Sequence, residues 1–301
     1  MASDMIAPLP NRGVVSVTGA DAAKLLQGLI TNDMDQLTKD GSAIHAGLLS
    51  PQGKILFDFF VVRTATGILI DVARDKAGEL IKRLTLYKLR ADVLLSDVSE
   101  DYRVFAVWGD SPPDAAQSAL IFVDPRLSAL GLRVLADAAL VASLQATPNV
   151  TRGTESDYDA HRIALGVPEG GKDYDYGDAY PHDAGFDIFR GVSFTKGCFV
   201  GQEVVARMQN KSIVRKRVVR IEGSGVLAAH TDITLSDAPI GRVGSVSGTH
   251  ALAMVRLDRA AVAVDKDVAL QAGGVPITVD PVAIEAYRAS AAAHPAAPGP
   301  L

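Results

Sequence analysis

The stretch from Lys196 to Glu203, Lys-Gly-Cys-Phe-Val-Gly-Gln-Glu, brings together residue types that could do chemistry. It holds Cys198, the only cysteine of the chain, two positions after a lysine. The glycines at 197 and 201 allow a tight or positive-φ backbone and the close approach of a ligand. A thiol near a lysine and a helix N-terminus is favoured as the thiolate, which is the reactive and ligand-binding form. A cysteine buried in a turn is the alternative, and the residue types alone leave both interpretations open.

The residues that follow this stretch predict a short helix. Glu-Val-Val-Ala-Arg-Met, from 203 to 208, would form a helix that begins near Gly201 and Gln202. The exposed N–H groups of a helix N-terminus favour an anionic or acceptor-rich partner. The start of this helix is therefore a candidate ligand site.

A carboxylate within an apolar run is the second candidate. Asp58 stands in Lys-Ile-Leu-Phe-Asp-Phe-Phe-Val-Val, residues 54–62, which otherwise predicts an apolar strand. Burying an unpaired carboxylate is costly. We therefore expect Asp58 to be paired or to face a cleft.

The elements that must position these residues predict a mixed α+β domain. Apolar patterns indicate a strand over 12–19, a three-strand meander over 42–72 and a helix over 74–89. The meander strands are nearly all apolar, which indicates that both of their faces are covered. A helix over 156–165 precedes a long loop at 168–185, and long irregular loops are often functional. No regular strand-helix alternation is present, which favours the α+β class.

The remainder of the chain predicts a different architecture. From Val214 onward, short strands and glycine-rich turns recur at regular spacing, as in a small β-barrel. The basic run 214–220 is better explained as the start of a strand with one solvated side than as a phosphate contact. We expect three parts: residues 1–212 as the α+β domain, 213–288 as the barrel, and 289–301 as a disordered Ala/Pro tail.

Composition and spacing argue against several classes. The net charge of −5 argues against a dedicated nucleic-acid binder, so no stable nucleic-acid partner is expected. A single cysteine excludes an intramolecular disulfide, and no His or Cys spacing supports a metal site. No uncharged stretch approaches ~18 apolar residues and no signal peptide is recognised. We therefore expect no membrane partner and a cytoplasmic location.

The motif at 196–203 resembles the hallmark Lys-Gly-Cys-Phe/Tyr-x-Gly-Gln-Glu of the YgfZ family of folate-binding proteins, with every fixed position matched. That family includes mitochondrial iron–sulfur-assembly relatives and is related to the glycine-cleavage T-protein, an aminomethyltransferase. The block 28–63 is similar to a T-protein stretch that runs through Leu-Ile-Thr-Asn-Asp, a glycine turn and a pair of aspartates. Asp58 falls on the second aspartate of that pair, which lies in the folate cleft of T-proteins. The resemblance covers almost the whole chain.

The resemblance implies an α+β, T-protein-like fold of several subdomains around a central folate cleft, with a small C-terminal β-barrel. It implies tetrahydrofolate, or a one-carbon derivative of it, as the cofactor. It implies an accessory protein for the maturation or repair of iron–sulfur proteins and, through them, tRNA modification. The expected partners are folate and iron–sulfur client or assembly proteins.

The resemblance also implies roles for particular residues. Asp58 and Cys198 would be the catalytic groups, and Asp58 would also accept hydrogen bonds from the pterin ring. The other cofactor-binding residues would be Asn32, Arg162, Lys196, Gly197, Phe199, Gly201, Gln202 and Glu203.

The chain departs from the T-protein pattern at several positions. Phe57 replaces the first aspartate of the pair, and Ala164 replaces a glutamate that follows the residue matched by Arg162. Residues 127–150 do not resemble the T-protein segment that makes further pterin contacts. A T-protein-type one-carbon transferase, with Asp58 as general acid or base, is therefore the alternative function. A non-catalytic scaffold in which folate is incidental is the third hypothesis.

Overall fold

The computed structural model describes residues 4–109, 120–137, 140–141, 150–211 and 213–293. The chain divides into two compact units. Unit 1 comprises Met1–Pro51, Ile55–His161 and Asp187–Val200. Unit 2 comprises Gln52–Lys54, Arg162–Phe186 and Gly201–Leu301.

The described residues of unit 1 form two five-stranded sheets. Its elements are β1 (Met5–Pro8), β2 (Arg12–Thr18), α1 (Ala22–Leu29), β3 (Ala43–Leu49), β4 (Ile55–Thr64), β5 (Gly67–Ala73), α2 (Ala77–Lys88), β6 (Leu94–Asp97), β7 (Tyr102–Trp108), β8 (Leu120–Val123), β9 (Leu132–Asp137), β10 (Thr151–Arg152) and α3 (Glu155–Ala164), which ends in unit 2. The first sheet has the strand order β3-β4-β5-β2-β6, and the second has β10-β1-β7-β9-β8. The predicted strand at 12–19, the meander and the helix at 74–89 are confirmed. The meander is larger than predicted, because β2 pairs with β5 and β6 pairs with β2.

One face of the first sheet packs against helices α1 and α2. Alternate residues of β4 point to this face, and Phe57, Phe59 and Val61 are each at most 1% exposed. Leu80 and Leu84, four positions apart on α2, lie on the helix side that meets them. Burial of each such side chain contributes roughly 1.5–3 kcal/mol. This apolar layer is the main core of unit 1. The opposite face of the sheet is also buried, as predicted, but it carries polar side chains.

Unit 2 contains a closed six-stranded barrel with the strand order β11-β14-β13-β12-β15-β16. Its elements are α4 (Gln202–Lys211), β11 (Lys216–Gly223), β12 (Asp232–Leu235), β13 (Ala238–Ser247), β14 (His250–Arg256), α5 (Leu257–Asp265), β15 (Leu270–Ala272), β16 (Val275–Val279) and α6 (Pro281–Ala293). The predicted barrel is confirmed, and most of the basic run 214–220 lies at the start of β11. Helices α5 and α6 are not among the predicted elements.

Helix α6 continues to Ala293, so the first residues of the predicted tail 289–301 are helical. Residues 294–301 of that tail lie outside the described residues. The predicted division at residue 212 stays a prediction, whereas the two compact units meet along the chain between Val200 and Gly201.

Candidate functional site

Polar side chains line one face of the first sheet in unit 1. The strand register places His45 opposite Phe60, Gly47 opposite Asp58, and Phe60 opposite Asp71. Because side chains alternate along a strand, these residues share the face that points away from α1 and α2. His45, Asp58 and Asp71 are 5%, 6% and 0% exposed. We call this set of five residues the polar face.

Three arginines and a further aspartate of unit 1 balance the charge of the polar face. Arg12 Nε donates to Asp71 at 2.6 Å, and Arg126 Nη2 donates to Asp124 at 2.8 Å. Arg133 has side-chain nitrogens 3.8 Å from Asp71 and 3.5 Å from Asp124. The three guanidinium groups lie 4.9–5.8 Å from the ring centroid of the phenylalanine in the polar face. The buried carboxylates of Asp71 and Asp124 are thus paired, which offsets the cost of removing these charges from water.

The imidazole of His45 is neutral at neutral pH. Its Nδ1 lies 3.2 Å from the carbonyl oxygen of Phe189, which can only accept, so Nδ1 carries the proton. Burial and the charge of Arg126 lower the pKa of His45 to about 4, against the opposing charges of Asp58 and Asp124. His45 and Asp58 are diagonal neighbours across the β3–β4 pair. The polar face therefore sets an uncharged imidazole beside a carboxylate.

Asp124 is held in its ionised form. Burial raises its pKa, but the charge and hydrogen bonds of Arg126 and the charge of Arg133 outweigh burial and lower the pKa to about 2. The hydroxyl of Tyr158 accepts from both arginines, at 3.1 and 3.3 Å. Because Arg133 lies on β9 and also approaches Asp71 on β5, the network joins the two sheets of unit 1.

Asp58 is a buried carboxylate within an apolar strand, as the sequence predicts. It lies within β4, and its cross-strand partner on β3 is Gly47. No side chain therefore stands directly opposite the carboxylate on that strand. The catalytic and pterin-binding roles of Asp58 stay predictions.

The segment 187–200, which carries Cys198, is bonded to the segment 27–33 within unit 1. Thr31 Oγ1 donates to the carbonyl oxygen of Gly191 at 2.6 Å. Ser193 N donates to the carbonyl oxygen of Thr31 at 3.0 Å. The two blocks that carry the sequence resemblance are thus adjacent in the structure.

Asn32 has its side chain bound by protein groups. Its Nδ2 donates to the carbonyl oxygens of His45 and Arg190, both at 2.7 Å. Its Oδ1 accepts from Asp33 N and from Gln36 Nε2, both at 2.8 Å. Asn32 therefore orders the backbone around the polar face, and its predicted contact with a cofactor stays a prediction.

The ammonium group of Lys196 is also bound by the protein itself. Nζ donates to the carbonyl oxygens of Gln27, Ile30 and Asn32 at 2.7, 2.8 and 2.8 Å. An ammonium group has three N–H donors, so all are used. Burial lowers the pKa of Lys196 to about 8, and the charge of Asp33 opposes that shift. A contact between Lys196 and a cofactor stays a prediction, and it would require one of these bonds to break.

Cys198 is exposed, and the alternative of a cysteine buried in a turn is wrong. Lys196 and Phe199, which flank it, are 8% and 7% exposed. The Lys196 ammonium lies 5.3 Å from the ring centroid of Phe199. Gly197 is exposed, and a Cβ added there would meet nothing within 4 Å. The thiol therefore stands out from a short stretch that is anchored on both sides.

The remaining residues of the motif belong to unit 2. The predicted helix is confirmed as α4, which begins at Gln202. Gly201 precedes it with a φ of 81°, a backbone conformation that side chains disfavour. Gln202 is half-buried and Glu203 is exposed. The cofactor contacts assigned to these three residues stay predictions.

Arg162 is fully buried within unit 2. Its Nη1 donates to Asp173 at 2.6 Å and to the carbonyl oxygen of Val167 at 3.2 Å. Its Nη2 donates to Ser245 Oγ, on strand β13, at 2.5 Å. Arg162 thus ties the loop after α3 to the barrel, and its predicted cofactor contact stays a prediction.

The sequence alone did not identify most of the buried charges around Asp58. A signal was present for His45 and Asp71, each of which stands within an apolar strand as Asp58 does. Asp124 and Arg126 lie in the loop Asp-Pro-Arg, where polar residues are ordinary. Only the fold brings that loop to the polar face.

Within the described ranges, no group of three or more His, Cys, Asp or Glu residues is placed to hold a metal ion. No helix in these ranges combines the length and the apolar character needed to cross a membrane.

Two family models match the chain. The GCVT N-terminal domain matches residues 9–131, within which Asp58 and the polar face lie. The CAF17 C-terminal beta-barrel domain matches residues 215–284. Cys198 and Lys196 lie between the two matched regions.

Several curated proteins are similar in sequence. The mitochondrial iron-sulfur cluster assembly factor IBA57 of Homo sapiens is 31% identical over 274 residues, covering 82% of this chain and 76% of that protein. The IBA57 homolog of Mycosarcoma maydis is 36% identical over 229 residues, covering 71% of this chain. The aligned region spans 56% of the Mycosarcoma protein and 52% of a Neurospora crassa homolog, so it amounts to about half the length of these fungal relatives.

A solved structure shares the fold. The glycine cleavage system aminomethyltransferase T from Bartonella henselae superposes with a TM-score of 0.73 over 94% of this chain and 86% of that chain. The sequences are 16% identical. The predicted T-protein-like α+β fold with a C-terminal barrel is thereby confirmed.

Proposed function

The chain belongs to the CAF17/IBA57/YgfZ family, and from that premise we propose that it acts as an iron–sulfur cluster assembly factor that binds tetrahydrofolate or a one-carbon derivative of it. The names of its relatives support the first part. The T-protein-like fold and the polar face support the second. The observation that carries the proposal is the exposed thiol of Cys198, held between two buried neighbours.

The polar face offers a suitable acceptor for a pterin ring. Pterins present ring N–H and amino donors, and a carboxylate can accept two such bonds side by side. Asp58 has that group, with Gly47 rather than a side chain opposite it. Bound tetrahydrofolate would supply one-carbon chemistry. Asn32 and Lys196 would act on this site by ordering the backbone, because their donors are engaged by carbonyl oxygens.

The iron–sulfur part of the proposal rests on Cys198. A thiolate there can supply one ligand to an iron–sulfur cluster, whereas such clusters are commonly held by four. The remaining ligands would come from an iron–sulfur client or assembly protein, which makes the cluster a transient, shared one. The names of the relatives place those proteins in mitochondria, and a cytoplasmic location for this chain stays a prediction.

The folate part is tested by calorimetric titration of tetrahydrofolate into the native chain and into Asp58→Asn. The variant keeps the size of the side chain but loses the charge that strengthens hydrogen bonds to the pterin. We expect roughly tenfold weaker binding or more, since a bond to a charged group contributes about 1.5–3 kcal/mol. Asp75→Asn, at an exposed carboxylate of unit 1, is the matched control and should bind as the native chain does.

No binding by the native chain would refute the folate part, and equal binding by Asp58→Asn would refute the role of Asp58. Turnover of folate with an aminomethyl donor would favour the one-carbon transferase instead.

The iron–sulfur part of the proposal is tested by complementation of a strain impaired in iron–sulfur enzymes. Cys198→Ala should fail to complement although its unfolding midpoint matches the native value, because an exposed side chain adds little to stability. Cys198→Ser should fail as well, since a hydroxyl keeps the shape but is a poor iron ligand. Growth of either variant at the native rate would refute an essential thiol.

A further inference from the structure

The ammonium group of Lys196 caps the C-terminus of helix α1. Thr31 N, which would bond to Gln27 O if the helix continued, donates to Gly47 O instead, at 2.9 Å. Gln27 O thus loses its helical donor. Lys196 Nζ replaces it at 2.7 Å and also donates to the carbonyl oxygen of the C-cap residue, Ile30, at 2.8 Å. A cation at a helix C-terminus is also favoured by the helix dipole.

Thr31 forms a second connection between the same segments. Its side chain is fully buried. The hydroxyl accepts from Gly47 N at 2.8 Å and donates to Gly191 O at 2.6 Å. Gly47 is the cross-strand partner of Asp58. One hydroxyl therefore joins the segment 187–200 to the strand pair that carries the carboxylate.

We propose that Lys196 and Thr31 are positioning residues, which together hold the Cys198 thiol at a fixed place relative to the Asp58 carboxylate. This inference rests on the proposed function, in which the Cys198 thiol and the Asp58 carboxylate are both functional groups of this chain. Neither positioning residue has a donor to spare for a ligand. Three carbonyl oxygens converge on Nζ, a geometry that suits a compact ammonium group better than the planar fork of arginine.

The test uses the full chain with a nitroxide spin label on Cys198, and a single cysteine means that the label reports one site. Lys196→Met keeps an unbranched side chain of nearly the same length and removes its donors. We expect the rotational correlation time of the label to fall roughly threefold, as in a loop released to nanosecond motion. Thr31→Val, which removes the hydroxyl at nearly constant shape, should change it in the same direction.

Two matched controls accompany these variants. Lys24→Met removes an exposed lysine of α1, and Thr31→Ser retains the hydroxyl. Both should leave the motion of the label as in the native chain. Trp108, the only tryptophan, is 7% exposed in unit 1, so its emission shows whether that unit remains folded.

Faster label motion with native Trp108 emission supports the proposal, and unchanged motion in a folded Lys196→Met overturns it. If both variants unfold, amide hydrogen exchange in the native chain decides. Protection of 187–200 equal to that of Thr31 and Gly47 supports a common rigid frame. Exchange of that segment roughly tenfold faster or more overturns it.

These readouts contain neither folate nor a client protein, so a failure of the proposed function leaves their outcome intact. Complementation of the impaired strain then shows whether the position of the thiol matters for activity. Lys196→Met retains the thiol and should nevertheless complement less well than Lys24→Met. Equal complementation by the two would show that the position of the thiol does not matter and would overturn the positioning role.

Discussion

At neutral pH the imidazole of His45 carries no charge, because burial and the guanidinium group of Arg126 disfavour the imidazolium form. The unfolded chain has no such restriction, and an ordinary histidine titrates near pH 6.5. Between about pH 6.5 and 4 the unfolded chain therefore binds a proton that the folded chain does not. The free energy of unfolding must fall as the pH falls through that window.

We predict that His45→Gln flattens this dependence. Glutamine can still donate to Phe189 O but does not titrate, so the loss of stability from pH 6.5 to 4 should shrink by on the order of 3 kcal/mol. Urea unfolding followed by Trp108 emission at several pH values measures it. His250→Gln, at an exposed barrel position, is the control. An unchanged pH dependence in His45→Gln would contradict the neutral, buried imidazole.

The sequence identified individual residues of the candidate site better than their surroundings. Asp58 and Cys198 stand out in the sequence, because a carboxylate in an apolar strand and a unique thiol between glycines are visible locally, and their roles stay predictions. Asp124 and Arg126 were not, since they follow Asp58 by more than sixty positions and meet the polar face only through sheet pairing. The engagement of Lys196 by three carbonyl oxygens was equally hidden, because backbone acceptors leave no trace in residue types.

At the scale of elements, the two glycines before helix α4 differ in backbone conformation. Gly201 adopts a φ of 81°, whereas Gly197 is not at positive φ and an added Cβ there would meet nothing within 4 Å. We predict that Gly201→Ala lowers the free energy of unfolding by roughly 1–2 kcal/mol, because side chains disfavour that conformation. Gly197→Ala should change it by about 0.5 kcal/mol or less. Urea unfolding followed by far-UV circular dichroism measures both.

The comparison also distinguishes backbone strain from ligand approach. If a ligand contacts the loop closely at Gly197, as its predicted cofactor role requires, Gly197→Ala should weaken tetrahydrofolate binding at native stability. Equal stability of the two alanine variants would contradict the assigned strain at Gly201.

Elements with a clear period were predictable, and those without one were not. The meander and the barrel strands alternate or run apolar between turn residues, and they form as expected. Helix α5, Leu-Asp-Arg-Ala-Ala-Val-Ala-Val-Asp, was missed because its alanines and valines fit helix and strand patterns alike. The pairing of β2 with β5 is not predictable from local pattern, because it joins residues more than fifty positions apart, from Val17 with Ile68 to Arg12 with Ala73.

At the scale of the whole molecule, the two units are not consecutive stretches of chain. Unit 2 takes Gln52–Lys54 and Arg162–Phe186 from within the sequence range of unit 1. Linear composition predicted a boundary near the barrel, because strand spacing changes there. It could not predict that Gln52–Lys54 and Arg162–Phe186 belong to unit 2, since that is decided by contacts distant in sequence, such as the contact of Arg162 with Ser245.

The closure of the barrel has a consequence for how another chain could join this one by adding a strand. Every barrel strand has a neighbour on both sides, so the described strands of unit 2 leave no free hydrogen-bonding edge in the barrel. In unit 1, among the described strands, β6, β8 and β10 end their sheets and are short, while β3 has a bridge from Ile30 on its outer side. Among the described strands, a partner that adds a strand would therefore pair with a sheet edge of unit 1, the unit that carries Cys198, and the shortness of these edges limits uncontrolled self-association.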